Sequence, residues 1–295
     1  MKKVLFFFLG FLTSLIIVGV GLYFYDNGIY ASLYNSVFAQ SQPKGNKEQR
    51  IYPTVFVAGS GGKVEDLAAL INSITSNKSL PAKPGLTITF QSSKTFAYKV
   101  SGSVNNSDPI INVVMVPSAA SNSNTVNEQY ILEVMQYLKK NYSVAQVNLV
   151  GYSSSANGGL RYLMDYSKSK DLPAVVKYVS LVGQYNEKEP MAKGETIVSV
   201  LKNGPQLKSS TYNWFADHCQ GLSSQMSILL IASVYNPKKQ DDGVLSIGNT
   251  LSVNSLLVKN GNKVQTEIIT GANTLHNLTA SNSQAQSLVE KFLYN

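Results

Sequence analysis

The chain has 295 residues, of which 44% are hydrophobic and 14% charged, and it carries a formal net charge of +8. That length supports one large core, and the single cysteine, Cys219, excludes an intramolecular disulfide. The lysines are scattered and no nucleic-acid-binding motif accompanies them, so nucleic acid is not an expected partner; the basic charge suits an anionic cell envelope or lipid surface instead.

The N-terminus reads as an export segment. Lys2 and Lys3 precede an uncharged, mostly apolar run from Val4 to Tyr25 that is closed by Asp26. A helix of that length crosses a hydrocarbon core of about 30 Å. Residues 1–25 are therefore expected to be a signal anchor, with the N-terminal end cytoplasmic and the remainder outside, at the cell membrane. The rival is a secreted protein, released by signal-peptide cleavage near Val37-Phe-Ala39. Residues 26–50, with Gln-Ser-Gln-Pro-Lys-Gly from Gln40 to Gly45, are expected to tether the anchor to a domain spanning 51–295.

From Ile51 onward strands and helices alternate. A strand over Ile51–Val57 runs into Gly59-Ser-Gly-Gly62 and then a helix whose Leu67, Leu70, Ile71 and Ile74 share one face. The runs Leu86–Phe90 and Thr95–Val104 alternate apolar and polar residues and predict an antiparallel pair, and Ile111–Val116 predicts a further strand. Thr125 and Glu128 form a capping-box pattern ahead of a helix carrying Ile131, Val134, Met135 and Leu138. Later strands are expected at Val175–Val182, Ser227–Val234 and Val264–Ile269, with a last helix holding Leu288, Val289 and Phe292. The alternation predicts an α/β fold with a mainly parallel central sheet covered by helices on both faces. Residues 184–225, with Pro190, Pro205 and Trp214, interrupt the rhythm and predict a lid-like insertion.

Val147-Asn-Leu-Val-Gly-Tyr-Ser153 is the most informative stretch, because an apolar strand enters a Gly-x-Ser turn followed by small residues. Such a bend exposes a serine Oγ and aims the N–H groups of the next helix at a developing oxyanion. Ser153 is the candidate nucleophile, and Ser155 occupies the position where the G-x-S-x-G pattern has glycine. A serine needs an imidazole base oriented by a carboxylate. Of the two histidines, His276 follows the last predicted strand and is the candidate base, whereas His218 lies in the irregular insertion. Asp242 is the candidate carboxylate, with Asp241 its competitor. The candidate oxyanion donors are the backbone N–H groups of Ser60 and Ser154. Gly59-Ser-Gly-Gly62 lacks the Gly-Lys-Ser/Thr ending of a phosphate loop, so no nucleotide cofactor is expected, nor any metal. Cys219 is expected to be an ordinary small core residue rather than a nucleophile.

These motifs together resemble the α/β-hydrolases of unspecified function described as cell-surface hydrolases, found mainly in Gram-positive bacteria. Val55-Phe-Val-Ala-Gly-Ser-Gly-Gly62 stands where that family has a His-Gly-x-Gly-Gly loop, and Asp241-Asp-Gly-Val244 where it has a Ser-Asp-Gly-Val acid turn. His276 with Leu278 matches its C-terminal histidine. The resemblance implies an α/β-hydrolase fold over about Ile51–Asn295 and a Ser153, Asp242, His276 triad, and it favours Asp242 over Asp241. Three residues depart from the family pattern: Ala58, Tyr152 and Ser155. Two functions are compatible with this reading. One is an exported, membrane-tethered serine hydrolase of the carboxylesterase type, acting on a small-molecule or lipid ester; peptidase chemistry is open to the same triad. The other is a non-catalytic or weakly active protein of the same fold that binds an envelope component.

Overall fold

A computed structural model of the protein describes residues 51–115, 124–187 and 191–295. The expected anchor, tether and the end of the strand at Val116 lie outside the described residues. Among the described residues no helix is long and apolar enough to cross a membrane.

Eight strands form one sheet in the order β3-β2-β4-β1-β5-β6-β7-β8. They are β1 (Thr54–Val57), β2 (Lys83–Phe90), β3 (Tyr98–Gly102), β4 (Pro109–Val114), β5 (Gln146–Tyr152), β6 (Ala174–Leu181), β7 (Ser227–Ser233) and β8 (Lys263–Ile269). Only β2 and β3 pair antiparallel, as their alternation predicted. Both faces of the central strands are buried, and successive residues sort into two cores. Val55, Val147, Leu149, Ile228 and Leu230 enter one; Phe56, Val150, Leu229 and Ile231 enter the other. Helices α1 (Ala68–Ser76), α2 (Asn124–Tyr142) and α3 (Ser154–Tyr166) connect the early strands. Leu70 and Ile74 of α1 share the second core with Val289 and Leu293 of α8 (Ser283–Tyr294), while α2 and α3 cover the first. The chain thus folds as an α/β-hydrolase sheet flanked on both sides.

Helices α2 and α3 meet at unusually short range, which explains the small residues after Ser153. A Cβ on Gly158 would lie 2.5 Å from Asn127 Cβ and 3.0 Å from the Asn127 carbonyl carbon. The segment 184–225 is more regular than its sequence suggested. It contains α4 (Ile197–Asn203) and α5 (Ser210–His218), whose Tyr212 and Phe215 are buried, with Phe215 in the first core. Thr196 and Ser209 cap these helices by accepting from Ser199 N and Tyr212 N, so the start signals were present. Two short helices, α6 (Ile247–Leu251) and α7 (Asn254–Lys259), lead into β8.

Helix α2 begins at Asn124, which puts Thr125 inside the helix rather than at a cap ahead of Glu128. Glu128 lies within α2 and turns toward α3, where its Oε2 is 3.5 Å from Arg161 Nε. Burial first, and then the hydrogen bond and charge of Asp165, push the Glu128 carboxyl up to about 7 from an ordinary 4.5. The folded state therefore holds this proton more tightly than the unfolded one. The stability this confers is complete below about pH 4.5 and is lost as pH rises through about 7. Accordingly, the stability of the wild type relative to Glu128→Gln should fall across that interval in urea titrations; a difference independent of pH would refute the assignment.

Candidate active site

The register of the sheet brings the candidate residues to one edge. Val57 of β1 lies beside Gly151 of β5 and Val113 of β4, so Ala58-Gly59-Ser60 leaves the sheet next to Tyr152-Ser153. Ser153 sits between β5 and α3 with φ 56° and ψ −124°, a strained conformation for a residue with a side chain. Its N–H donates to Leu181 O at 2.9 Å, which fixes the turn to the end of β6. Gly151 is required by contact: a Cβ there would lie 2.6 Å from Ala156 Cα and 2.7 Å from Ser155 O. A Cβ on Gly59 would press to 3.1 Å from Ser153 Cβ, so glycine at 59 lets the β1 loop ride against the elbow.

Ser153 Oγ is 2.8 Å from His276 Nε2, and His276 Nδ1 is 2.6 Å from Asp242 Oδ2. A carboxylate can only accept, so Nδ1 carries the proton in neutral His276, and Nε2 accepts from the Ser153 hydroxyl. Asp242 is 1% exposed, and its second oxygen, Oδ1, accepts from Val244 N at 2.9 Å and Leu245 N at 2.7 Å. These bonds offset the desolvation of a buried carboxylate. The backbone closes the same loop, with His276 N donating to Asp242 O at 2.9 Å. Asp241 is half-buried, and its Oδ1 accepts from Gly243 N instead. The structure therefore brings Asp242, not Asp241, to the imidazole.

Two of the three departures, Tyr152 and Ser155, make hydrogen bonds through their side chains. Tyr152 OH donates to the backbone oxygen of His276, and its ring stacks on the imidazole at 5.9 Å between centroids. Burial, followed by the charges of Asp66 and Asp242, raises the Tyr152 pKa, so the phenol stays a neutral donor. Ser155 is fully buried, and its Oγ donates to Ala58 O at 2.5 Å. Ser60 Oγ donates to Ser154 Oγ at 2.6 Å, linking the residues proposed from sequence as oxyanion donors. Ser154 N–H belongs to the first turn of α3, where backbone donors lack helical partners. Sequence reasoning missed the Tyr152 and Ser155 bonds, because each depends on a loop distant in the chain.

His218 and Cys219 take no part in this cluster. His218 Nδ1 lies 2.8 Å from Trp214 O, and its ring stacks on Trp214 at 4.0 Å. Cys219 is buried against Leu256 O, and burial raises its thiol pKa. Among the described residues no group of acidic, histidine or cysteine side chains is arranged to hold a metal.

The strand order, an elbow after β5, and Ser153, Asp242 and His276 following β5, β7 and β8 fit the pattern of an α/β hydrolase. Residues 41–295 match the family described as "Alpha/beta hydrolase of unknown function (DUF915)", and the chain belongs to that family. Two crystal structures share the fold. The lin2722 gene product of Listeria innocua aligns with a TM-score of 0.72 and 19% identity, covering 83% of this chain and 94% of that one. A "putative cell surface hydrolase" from Lactobacillus plantarum aligns at 0.60 and 19%, covering 82% and 89%. No curated protein matches the chain.

The Ser155 bond has a measurable worth. Ser155→Ala leaves the buried Ala58 carbonyl without this donor and should cost about 1–3 kcal/mol in urea unfolding. A loss within about 0.3 kcal/mol would show that the bond contributes nothing net to stability.

Proposed function

We propose that the protein is a serine hydrolase that cleaves carboxylic esters through an acyl-enzyme on Ser153. The observation that carries this reading is the continuous hydrogen-bonded line from Ser153 Oγ through His276 to buried Asp242, at 2.8 and 2.6 Å. In the acylation step Ser153 Oγ attacks the carbonyl carbon while His276 Nε2 takes its proton. Asp242 stabilises the imidazolium that results. The oxyanion forms beside the N–H groups of Ser60 and Ser154, and the tetrahedral intermediate collapses when His276 returns the proton to the departing alkoxide. Water then attacks the acyl carbon with His276 as base, releasing the acid and restoring Ser153.

Tyr152 and Ser155 support this reading over a non-catalytic one. The substituted residues hold the histidine and oxyanion loops in place, instead of filling the site or separating its members. With the apolar run at residues 4–25, the proposal extends to an exported hydrolase tethered at the outer face of the membrane.

A fluorophosphonate probe should label the protein at Ser153 and not label Ser153→Ala. The same substitution should lower turnover of a short-chain ester by roughly 10⁴-fold or more. Turnover unaffected by Ser153→Ala would reject the mechanism, whereas no labelling and no turnover across esters and peptides would favour a binding role.

A further inference from the structure

The edge of the sheet opposite Ser153 carries its own pattern. Because all strands but β3 run parallel, their N-terminal ends gather at that edge. Lysines concentrate there. Lys83 and Lys263 open β2 and β8; Lys140, Lys259 and Lys291 stand in the last turns of α2, α7 and α8, and all five are exposed. Lys168 and Lys170 add to them in the link from α3 to β6. The acids Asp108, Asp165, Asp171 and Glu290 are too few to balance these seven lysines. Around Ser153, by contrast, the loops carry Glu65, Asp66, Asp241 and Asp242 against Lys63, Lys238 and Lys239, so no such excess arises there.

A cavity of about 560 Å³ opens on this lysine-rich side, between α8 and the last strands. Lys177, Lys263 and Lys291 line it together with apolar Val264, Leu288 and Phe292, and Glu267 is the acid among its walls. Lys177 is held over the Phe292 ring and donates to Leu293 O at 2.8 Å. Cationic groups around an apolar floor match the two halves of an acidic lipid. The position of the chain supplies the second argument. Ile51, where residues 1–50 join the domain, lies at the same edge, since Tyr52 N donates to Ser107 O just before β4. The end of α8 meets the start of β1 as well, with Tyr294 OH 3.0 Å from Thr54 Oγ1.

We propose that this edge, centred on the cavity of Lys177, Lys263 and Lys291, docks on an anionic lipid bilayer and holds Ser153 on the side turned away from it. The inference rests in part on reading residues 1–25 as a membrane segment, but not on the hydrolase chemistry. Lysines near an anionic surface add up in binding strength, and the effect decays within a Debye length of about 8 Å at physiological salt.

The test uses the full chain incubated with vesicles of phosphatidylcholine, with or without phosphatidylglycerol, and an amine-acetylating reagent read by mass spectrometry. Acetylation of Lys83, Lys259, Lys263 and Lys291 should drop roughly fivefold or more on the anionic vesicles and recover in high salt, while Lys238 and Lys239 near the site react equally throughout. Lys263→Gln combined with Lys291→Gln should restore acetylation of Lys83 and Lys259, with an unchanged melting temperature reporting intact folding. Equal acetylation on both vesicle types, protection of Lys238 and Lys239 instead, or no association with anionic vesicles would each overturn the proposal. An alkaline carbonate wash separates the two readings. Release by the wash rejects the membrane segment, and the lysine protection measured before it still decides the docking surface.

Discussion

The site depends on holding Ser153 at a positive φ. That backbone conformation costs on the order of 1–3 kcal/mol for a residue with a Cβ, and it persists only where the surroundings over-determine it. Here the surroundings come from three strands. Ser153 N is tied to the end of β6, Gly151 admits the backbone of α3, and Gly59 admits the loop after β1. The cores on both faces of the sheet make each of these approaches stiff, because Val150, Leu149 and their neighbours are fully buried, and buried side chains pack densely. A strained serine at the rim is therefore a consequence of packing in the interior.

The same constraint explains why the departures from the family pattern need not weaken the site. Glycine at position 155 would supply space but no bond; serine supplies a hydroxyl that fastens α3 to the carbonyl of Ala58. Tyrosine at 152 reaches across to the backbone of His276 and lies against its ring. Each replacement converts a contact between loops into a directional one. Asp242 completes the arrangement from the other side, with one oxygen on two backbone N–H groups and the other on the imidazole. The carboxylate is thus fixed in orientation before it acts on the histidine.

Much of this was legible in the sequence. The two-residue alternation at Leu86–Phe90 and the helical stripe at Ile131, Val134, Met135 and Leu138 announced their elements, because each buries one face. Ser153, Asp242 and His276 stood out because each follows a strand. Less legible were α4 and α5, whose N-caps at Thr196 and Ser209 were masked by prolines and lysines. The capping-box pattern misplaced the start of α2 because the helix begins at Asn124, which puts Thr125 inside it, and Glu128 faces Arg161. The Tyr152 and Ser155 bonds span 124 and 97 residues of sequence, and no local rule reports such distances.

A parallel sheet also imposes a polarity on charge. Helices that return antiparallel to the strands bring their C-terminal ends, with partial negative charge, to the edge away from Ser153, and lysines in a last turn complement that dipole. This accounts for Lys139, Lys140, Lys259 and Lys291 as features of helices. It does not account for Lys83 and Lys263, which open strands, or for Lys177, which is drawn partly inside at the cost of a lowered pKa through burial. Helix dipoles therefore explain part of the basic edge, and the remainder is the charge that the proposed anionic bilayer would meet. The same geometry that gathers the Ser153, Asp242 and His276 loops on one rim sets the lysine-rich edge at the opposite one.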